Sequence, residues 1–199
     1  MPTWQDYRTH ARRFSTRYFE EPLARSLMAI GLTPNRVTFL GLLVSGACAY
    51  LLSQGMFVAG GAVLIFAGIM DMVDGALARR SGTASPRGAL LDSVVDRVAE
   101  ATVFLGLLVY YLEPVSATEI VLINVSLVGS FMVSYLRARG EGLGVDCRVG
   151  IMTRPERVVA LAVGLLLGQV TIALAVIAVL TVFTTLHRFW HIHRELDGS

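Results

Sequence analysis

The chain has 199 residues, 54% of them hydrophobic, and a mean hydropathy of +0.62, which excludes a soluble domain with a single core and fits a polytopic membrane protein. Its seventeen basic residues are all arginine and stand against fifteen acids, for a net charge of +2. Cys48, in an apolar run, and Cys147, in a loop, have neither metal-binding nor redox spacing and do not suggest a disulfide scaffold.

At the amino end Trp4, Tyr7, Ala11, Phe14 and Tyr18 recur at steps of three and four, while Arg8, Arg12, Arg13 and Arg17 fill much of the rest. This spacing predicts an amphipathic helix, aromatic on one face and basic on the other, suited to lying in the membrane interface. It lacks the apolar core of a cleavable signal peptide. Pro22 opens a second short helix that Gly31 ends. Thr33-Pro34-Asn35 starts the first span, with Thr33 as cap, and the apolar run to about Ser53 is near the length a bilayer core needs. Ser53-Gln54-Gly55 is an uncharged turn. The second span runs from about Met56 to Arg80. The third runs from Pro86, behind an N-cap at Ser85, to about Leu112.

Glu113-Pro114 closes that span, and a fourth follows from about Ser116 to Arg139. Gly140 to Met152 reads as the longest loop. Thr153-Arg154-Pro155-Glu156 is a capping box, so a fifth span begins there and ends near Gly168-Gln169. Gly164 and Gly168 form a G-x-x-x-G spacing that permits close helix packing. The sixth span reaches about Trp190, whose indole suits the interface. The expectation is therefore an all-α integral membrane protein in a single domain over 1–199, with six transmembrane helices in 33–192 preceded by an amphipathic interfacial segment in 1–31.

Arginines fall in the amino segment, between spans two and three, between spans four and five, and at the carboxyl end, whereas the other turns have none. An even number of spans with both ends on the positive side follows, and that side is the cytoplasm.

The stretch Asp71–Asp96 is the most informative. Asp71 and Asp74 are three apart, and Asp92 and Asp96 are four apart, so each pair shares a helical face. With a chain reversal at Ser85–Pro86 the two acidic faces can meet. Four carboxylates beside lipid repel one another unless a cation sits among them, and oxygen ligands suit a hard ion such as Mg²⁺ or Mn²⁺. The plainer reading pairs these acids with Arg79, Arg80, Arg87 and Arg97. Against it, four acids recur at helical spacing where only Glu100 and Glu119 are otherwise acidic, and ionisable groups at membrane depth are costly.

Asp71-x-x-Asp74-Gly75-x-x-Ala78-Arg79, then eight residues to Gly88, three to Asp92 and three to Asp96, resembles the signature of the CDP-alcohol phosphotransferases. The arginine-based topology places these aspartates close to the cytoplasmic face of the cell membrane, and the resemblance implies an integral membrane enzyme. It would move a phosphatidyl-type group from a CDP-lipid (CDP-diacylglycerol or a CDP-archaeol-like donor) to an alcohol, releasing CMP. It further implies that Asp71, Asp74 and Asp92 hold Mg²⁺ or Mn²⁺, as two ions, and that Asp96 touches metal and serves as general base. Asn35, Gly75, Ala78, Arg79 and Gly88 would join Asp71, Asp74 and Asp92 around the CDP-lipid. The implied partners are the donor, a phosphorylated polyol, membrane lipids and a second copy in a homodimer, and no nucleic acid.

SYLRARGEGLG followed by RPER resembles the phosphatidylinositol-phosphate and archaetidylinositol-phosphate synthase branch. That implies an inositol 1-phosphate acceptor whose phosphate is held by Ser134, Arg137, Arg139, Arg154, Arg157 and Arg188. Arginine suits the task because its planar fork donates two hydrogen bonds at once. Arg154 and Arg157 share a helical face, but Arg137 and Arg139 lie about 200° apart and converge only if the helix loosens near Gly140. Glycerol 3-phosphate is the alternative acceptor. A divalent cation transporter would need acids or broken helices in paired positions across the bilayer, and spans one, five and six offer no acid at depth. A scaffold protein leaves the acids unexplained.

Overall fold

The computed structural model describes residues 32–83 and 85–197. The expected interfacial helix and its short successor, in residues 1–31, lie outside the described residues. Six helices follow in order: α1 (Pro34–Ser53), α2 (Phe57–Arg80), α3 (Pro86–Tyr111), α4 (Ala117–Gly142), α5 (Arg154–Leu166) and α6 (Val170–Asp197).

Four of these, α1, α2, α4 and α6, are long and apolar enough to cross a membrane. The expectation of six spans is therefore met only in part. Helix α5 has 13 residues and stops at Leu166, so at about 1.5 Å per residue it covers roughly two-thirds of a hydrocarbon core. Helix α3 is long, at 26 residues, but Arg87, Asp92, Asp96, Arg97 and Glu100 leave only 101–111 free of charge. Exposed Val121, Val128, Phe183 and Leu186 on α4 and α6 need lipid rather than water around them, as an integral membrane protein requires.

Helix starts follow local chemistry. Ser85 Oγ accepts the Gly88 N–H at 3.1 Å, which is the expected N-cap of α3. At α5 the capping box closes differently from expectation: the Thr153 hydroxyl bonds the Glu156 carboxylate, not a main-chain N–H, and Arg157 N–H donates to Thr153 O. Ser116 and Glu119 repeat that side-chain closure at α4. Between α2 and α3 the chain turns through Gly82, whose φ of +67° is in the region where a side chain is costly.

The chain divides into two compact units, one built from residues 32–44 and 66–98 and the other from 45–65 and 99–197. In the first, Val37 on α1 packs with Val73, Ala76 and Leu77 on α2. The second has a larger core that includes Leu52, Phe104, Leu107, Ile123, Leu165 and Ile177. Within it, a Cβ at Gly106 would come within 2.6 Å of Ala49 Cα, so glycine permits the close approach of α3 to α1 there.

The loop expected over Gly140–Met152 begins only after Gly142. Helix α4 continues through Gly140 to Gly142. Beyond it, Cys147 packs with Leu136 and Ile192, and the His191 ring Nε2 lies 3.1 Å from Asp146 O.

Candidate active site

The first unit gathers the acids. Asp71, Asp74 and Asp92 each bring a carboxylate oxygen within 4.8 Å of the others. Burial of Val73 and Leu77 against α1 sets the rotation of α2, so Asp74, between them in sequence, is left only 4% exposed. Its Oδ2 accepts a 2.8 Å hydrogen bond from the Thr38 hydroxyl. Three oxygen ligands at this separation fit a hard divalent cation, and without one they repel. The fourth acid, Asp96, falls outside this group. Its Oδ2 lies 3.7 Å from Arg97 Nη1, which also donates to Ser93 O at 2.6 Å.

The small residues of the signature lie close to these acids in sequence. A Cβ at Gly75 would stand 3.3 Å from Arg79 Nη1, so the guanidinium folds back over the space that glycine leaves. Gly88 is the residue whose N–H Ser85 caps. Ala78 is half-buried, and Asn35 is exposed in the first turn of α1.

The second unit holds the arginines expected at the acceptor. Arg157 is buried and grips Glu100 with two bonds from one edge of its guanidinium: Nε to Oε1 at 2.6 Å and Nη2 to Oε2 at 2.8 Å. Its Nη1 donates to Met152 O at 3.2 Å. Arg188, also buried, donates from Nε to Val149 O at 2.9 Å and from Nη1 to Val133 O at 2.5 Å. The Met152 N–H donates to Thr184 Oγ1 at 3.2 Å, so residues 149–152 are clamped from α5 on one side and α6 on the other. Arg137 pairs with Glu141 at 2.9 Å on the exposed side of α4. Arg139 is exposed, while Ser134 and Arg154 are half-buried.

Two expectations change here. The helix does not loosen at Gly140, so Arg137 and Arg139 keep their separation of about 200° and do not converge. Gly140 instead serves packing, since a Cβ there would meet Ile192 Cδ1 at 3.0 Å and Cys147 Cβ at 3.2 Å. The fork of Arg157, expected to face a phosphate, is taken up by Glu100. Sequence reasoning missed Glu100 and Thr38 because their partners are 57 and 36 residues away. The one signal available for Glu100 was its rarity as an acid at depth.

A carboxylate-walled centre for a hard cation, on two helices of an integral membrane chain, defines a metal-dependent membrane enzyme. The chain belongs to the CDP-alcohol phosphatidyltransferase family, whose model matches residues 31–187. It is 32% identical over 178 residues to the archaetidylinositol phosphate synthase of Pyrococcus horikoshii, covering 89% of this chain and 92% of the relative. It superposes with a TM-score of 0.78 on the crystal structure of Mycobacterium tuberculosis phosphatidylinositol phosphate synthase with CDP-DAG bound, at 32% identity and covering 87% of this chain and 92% of that one. A second crystal structure of that enzyme, in complex with manganese and citrate, matches with the same TM-score and identity over 87% of this chain and 88% of the other.

Proposed function

We propose that this chain transfers a phosphatidyl-type group from a CDP-lipid to inositol 1-phosphate and releases CMP, using Mg²⁺ or Mn²⁺. The observation that carries the reading is the meeting of Asp71, Asp74 and Asp92 within 4.8 Å, at the positions of the family signature. The names of the relatives support an inositol phosphate acceptor.

In the reaction, a hydroxyl oxygen of the acceptor bonds to the lipid-side phosphorus, the bond from that phosphorus to the CMP oxygen breaks, and the hydroxyl proton must leave. When bound, the metal neutralises charge on the pyrophosphate and orients it. Asp71, Asp74 and Asp92 would hold it, as a pair of ions. Asp96 is assigned to take the proton, a role that depends on hydrogen-bond reach to the nucleophile. Arg79 is assigned to the diphosphate, and Asn35 to the nucleotide side. Gly75, Ala78 and Gly88 let the nucleotide lie against helix backbone.

Ser134, Arg137, Arg139, Arg154, Arg157 and Arg188 are assigned to the acceptor phosphate. Because Arg157 is bound to Glu100 and Arg188 to two carbonyls, part of their contribution is to shape residues 149–152. The six helices are each proposed to cross the cell membrane, with α3 and α5 as the two less apolar members. Both chain ends and the aspartates would face the cytoplasm, and two chains would form a dimer.

The test is purified protein with CDP-diacylglycerol, Mg²⁺ or Mn²⁺, and a panel of acceptors. CMP release with inositol 1-phosphate, and little with free inositol or serine, is the expected result. Faster turnover with glycerol 3-phosphate would reassign the acceptor, and no CMP release with any alcohol would overturn the reading.

A further inference from the structure

Thr38 lies one helical turn beyond Pro34 in α1 and is 8% exposed. Its hydroxyl has two acceptors in reach, Pro34 O at 3.1 Å and Asp74 Oδ2 at 2.8 Å. The bond to the carbonyl four residues back is the usual local outlet for a helical threonine. A hydroxyl has one proton, however, and an ionised carboxylate is the stronger acceptor as well as the nearer one here. Threonine is also stiff at χ1, so the oxygen it offers is held in place by its own backbone. Val37 and Val73, the chain neighbours of the two bonded residues, belong to one buried cluster, which keeps this part of α1 against α2.

We infer that Thr38 is a positioning residue for the cation centre: its hydroxyl fixes the rotation of the Asp74 carboxylate so that the group meets Asp71 and Asp92 around one ion. Asp74 lies within 4.8 Å of two other acids. Left to itself, such a carboxylate lowers its energy by turning away from them. A donor on one of its oxygens opposes that motion before any ion arrives. Groups that orient metal ligands in this way typically contribute about 10–100-fold to metal affinity. The inference rests on the cation-centre reading given above, and it adds a residue that the signature does not contain.

The experiment is titration of the purified full-length protein in mild detergent with Mn²⁺, read by electron paramagnetic resonance of the free ion. Thr38→Val keeps the shape and removes the donor, and should weaken Mn²⁺ binding at least about tenfold. Thr38→Ser keeps the donor and should restore binding to within about twofold of the parent, well inside that effect. Both variants should melt close to the parent, which separates positioning from a general loss of fold. Should valine lower the melting temperature, Thr38→Ala, which removes the hydroxyl without putting an apolar methyl in its place, reports the same loss of affinity. Asp74→Asn is the reference. If it weakens Mn²⁺ binding while Thr38→Val leaves it unchanged, the role of Thr38 is refuted and the centre stands. If neither changes binding, the cation centre itself is wrong and the inference falls with it.

Discussion

Asp74 sets the terms at the scale of the residue. A nearly solvent-free carboxylate beside two more is unstable unless it is compensated, and a hard cation supplies more compensation than any neighbour can. Asp71→Asn, Asp74→Asn or Asp92→Asn should each remove Mn²⁺ binding and lower kcat/KM by at least about 100-fold, measured as CMP release, with helical content unchanged. Asp96→Asn should lose turnover and keep most of its CDP-lipid affinity. Near-normal turnover in that variant would show that Asp96 is not the base. Glu100 and Arg157 are a different case, because they form a buried pair with two matched hydrogen bonds. Removing one partner leaves the other charge uncompensated, so Glu100→Gln should cost roughly 3–5 kcal/mol of stability, read as a lowered Tm in detergent. Arg137→Ala should raise the acceptor KM while sparing CDP-lipid binding, and Arg188→Ala should do the same together with a fall in Tm, because it removes the buried donor to Val133 O and Val149 O. Arg157→Ala should do so only together with a fall in Tm.

Among the elements, close helix contacts are made by small residues. Gly106→Ala places a methyl against the Ala49 backbone, and a main-chain neighbour cannot rotate away as a side chain can. We expect about 1–3 kcal/mol of destabilisation and a lower Tm. The segment between α4 and α5 behaves as a packed element rather than a free loop. Arg157, Thr184 and Arg188 hold its carbonyl and amide groups, and Cys147 plugs it against Leu136 and Ile192. Burial pushes the Cys147 thiol pKa up, so less thiolate forms at any given pH than at a free cysteine. Maleimide labelling of Cys147 at neutral pH should therefore be slow in the folded protein and fast after denaturation, and raising the pH should speed it later than it does for an exposed thiol. Fast labelling of the folded protein would mean that this segment opens in solution.

For the whole molecule, the proposed topology, which rests on the distribution of arginine, puts both ends and the α2–α3 turn on the cytoplasmic side. Single cysteines replacing Gln54 or Val115 should react with a membrane-impermeant maleimide from outside intact cells, and one replacing Thr83 should react only after the membrane is opened. The reverse pattern would invert the topology and with it the side on which CMP is released. The proposed dimer has its own check: mass measurement in mild detergent should give twice the chain mass, and a purely monomeric, fully active preparation would remove it.

The sequence alone determined which acids share a helical face and where α3 begins, whereas the fold decided that Asp71, Asp74 and Asp92 meet and that Asp96 falls outside their group. Aspartates three and four apart share a helical face by geometry, and Ser85-Pro86 starts a helix by local hydrogen bonding, so no distant contact was needed to find them. The same is true of the start of α1 and of the uncharged turn at Gln54. What the tertiary structure decided is which partner each polar group takes. Arg157 looked like a phosphate ligand from its charge and position, but only folding brings it to Glu100. Thr38 carried no sign of its bond to Asp74, because that bond depends on how α1 packs on α2. Arg137 and Arg139 could have converged only if the helix loosened near Gly140, yet Ile192 and Cys147 close around that glycine and the helix runs on. Local rules fix periodicity, caps and turns, whereas pairing across tens of residues depends on the packing of elements already formed.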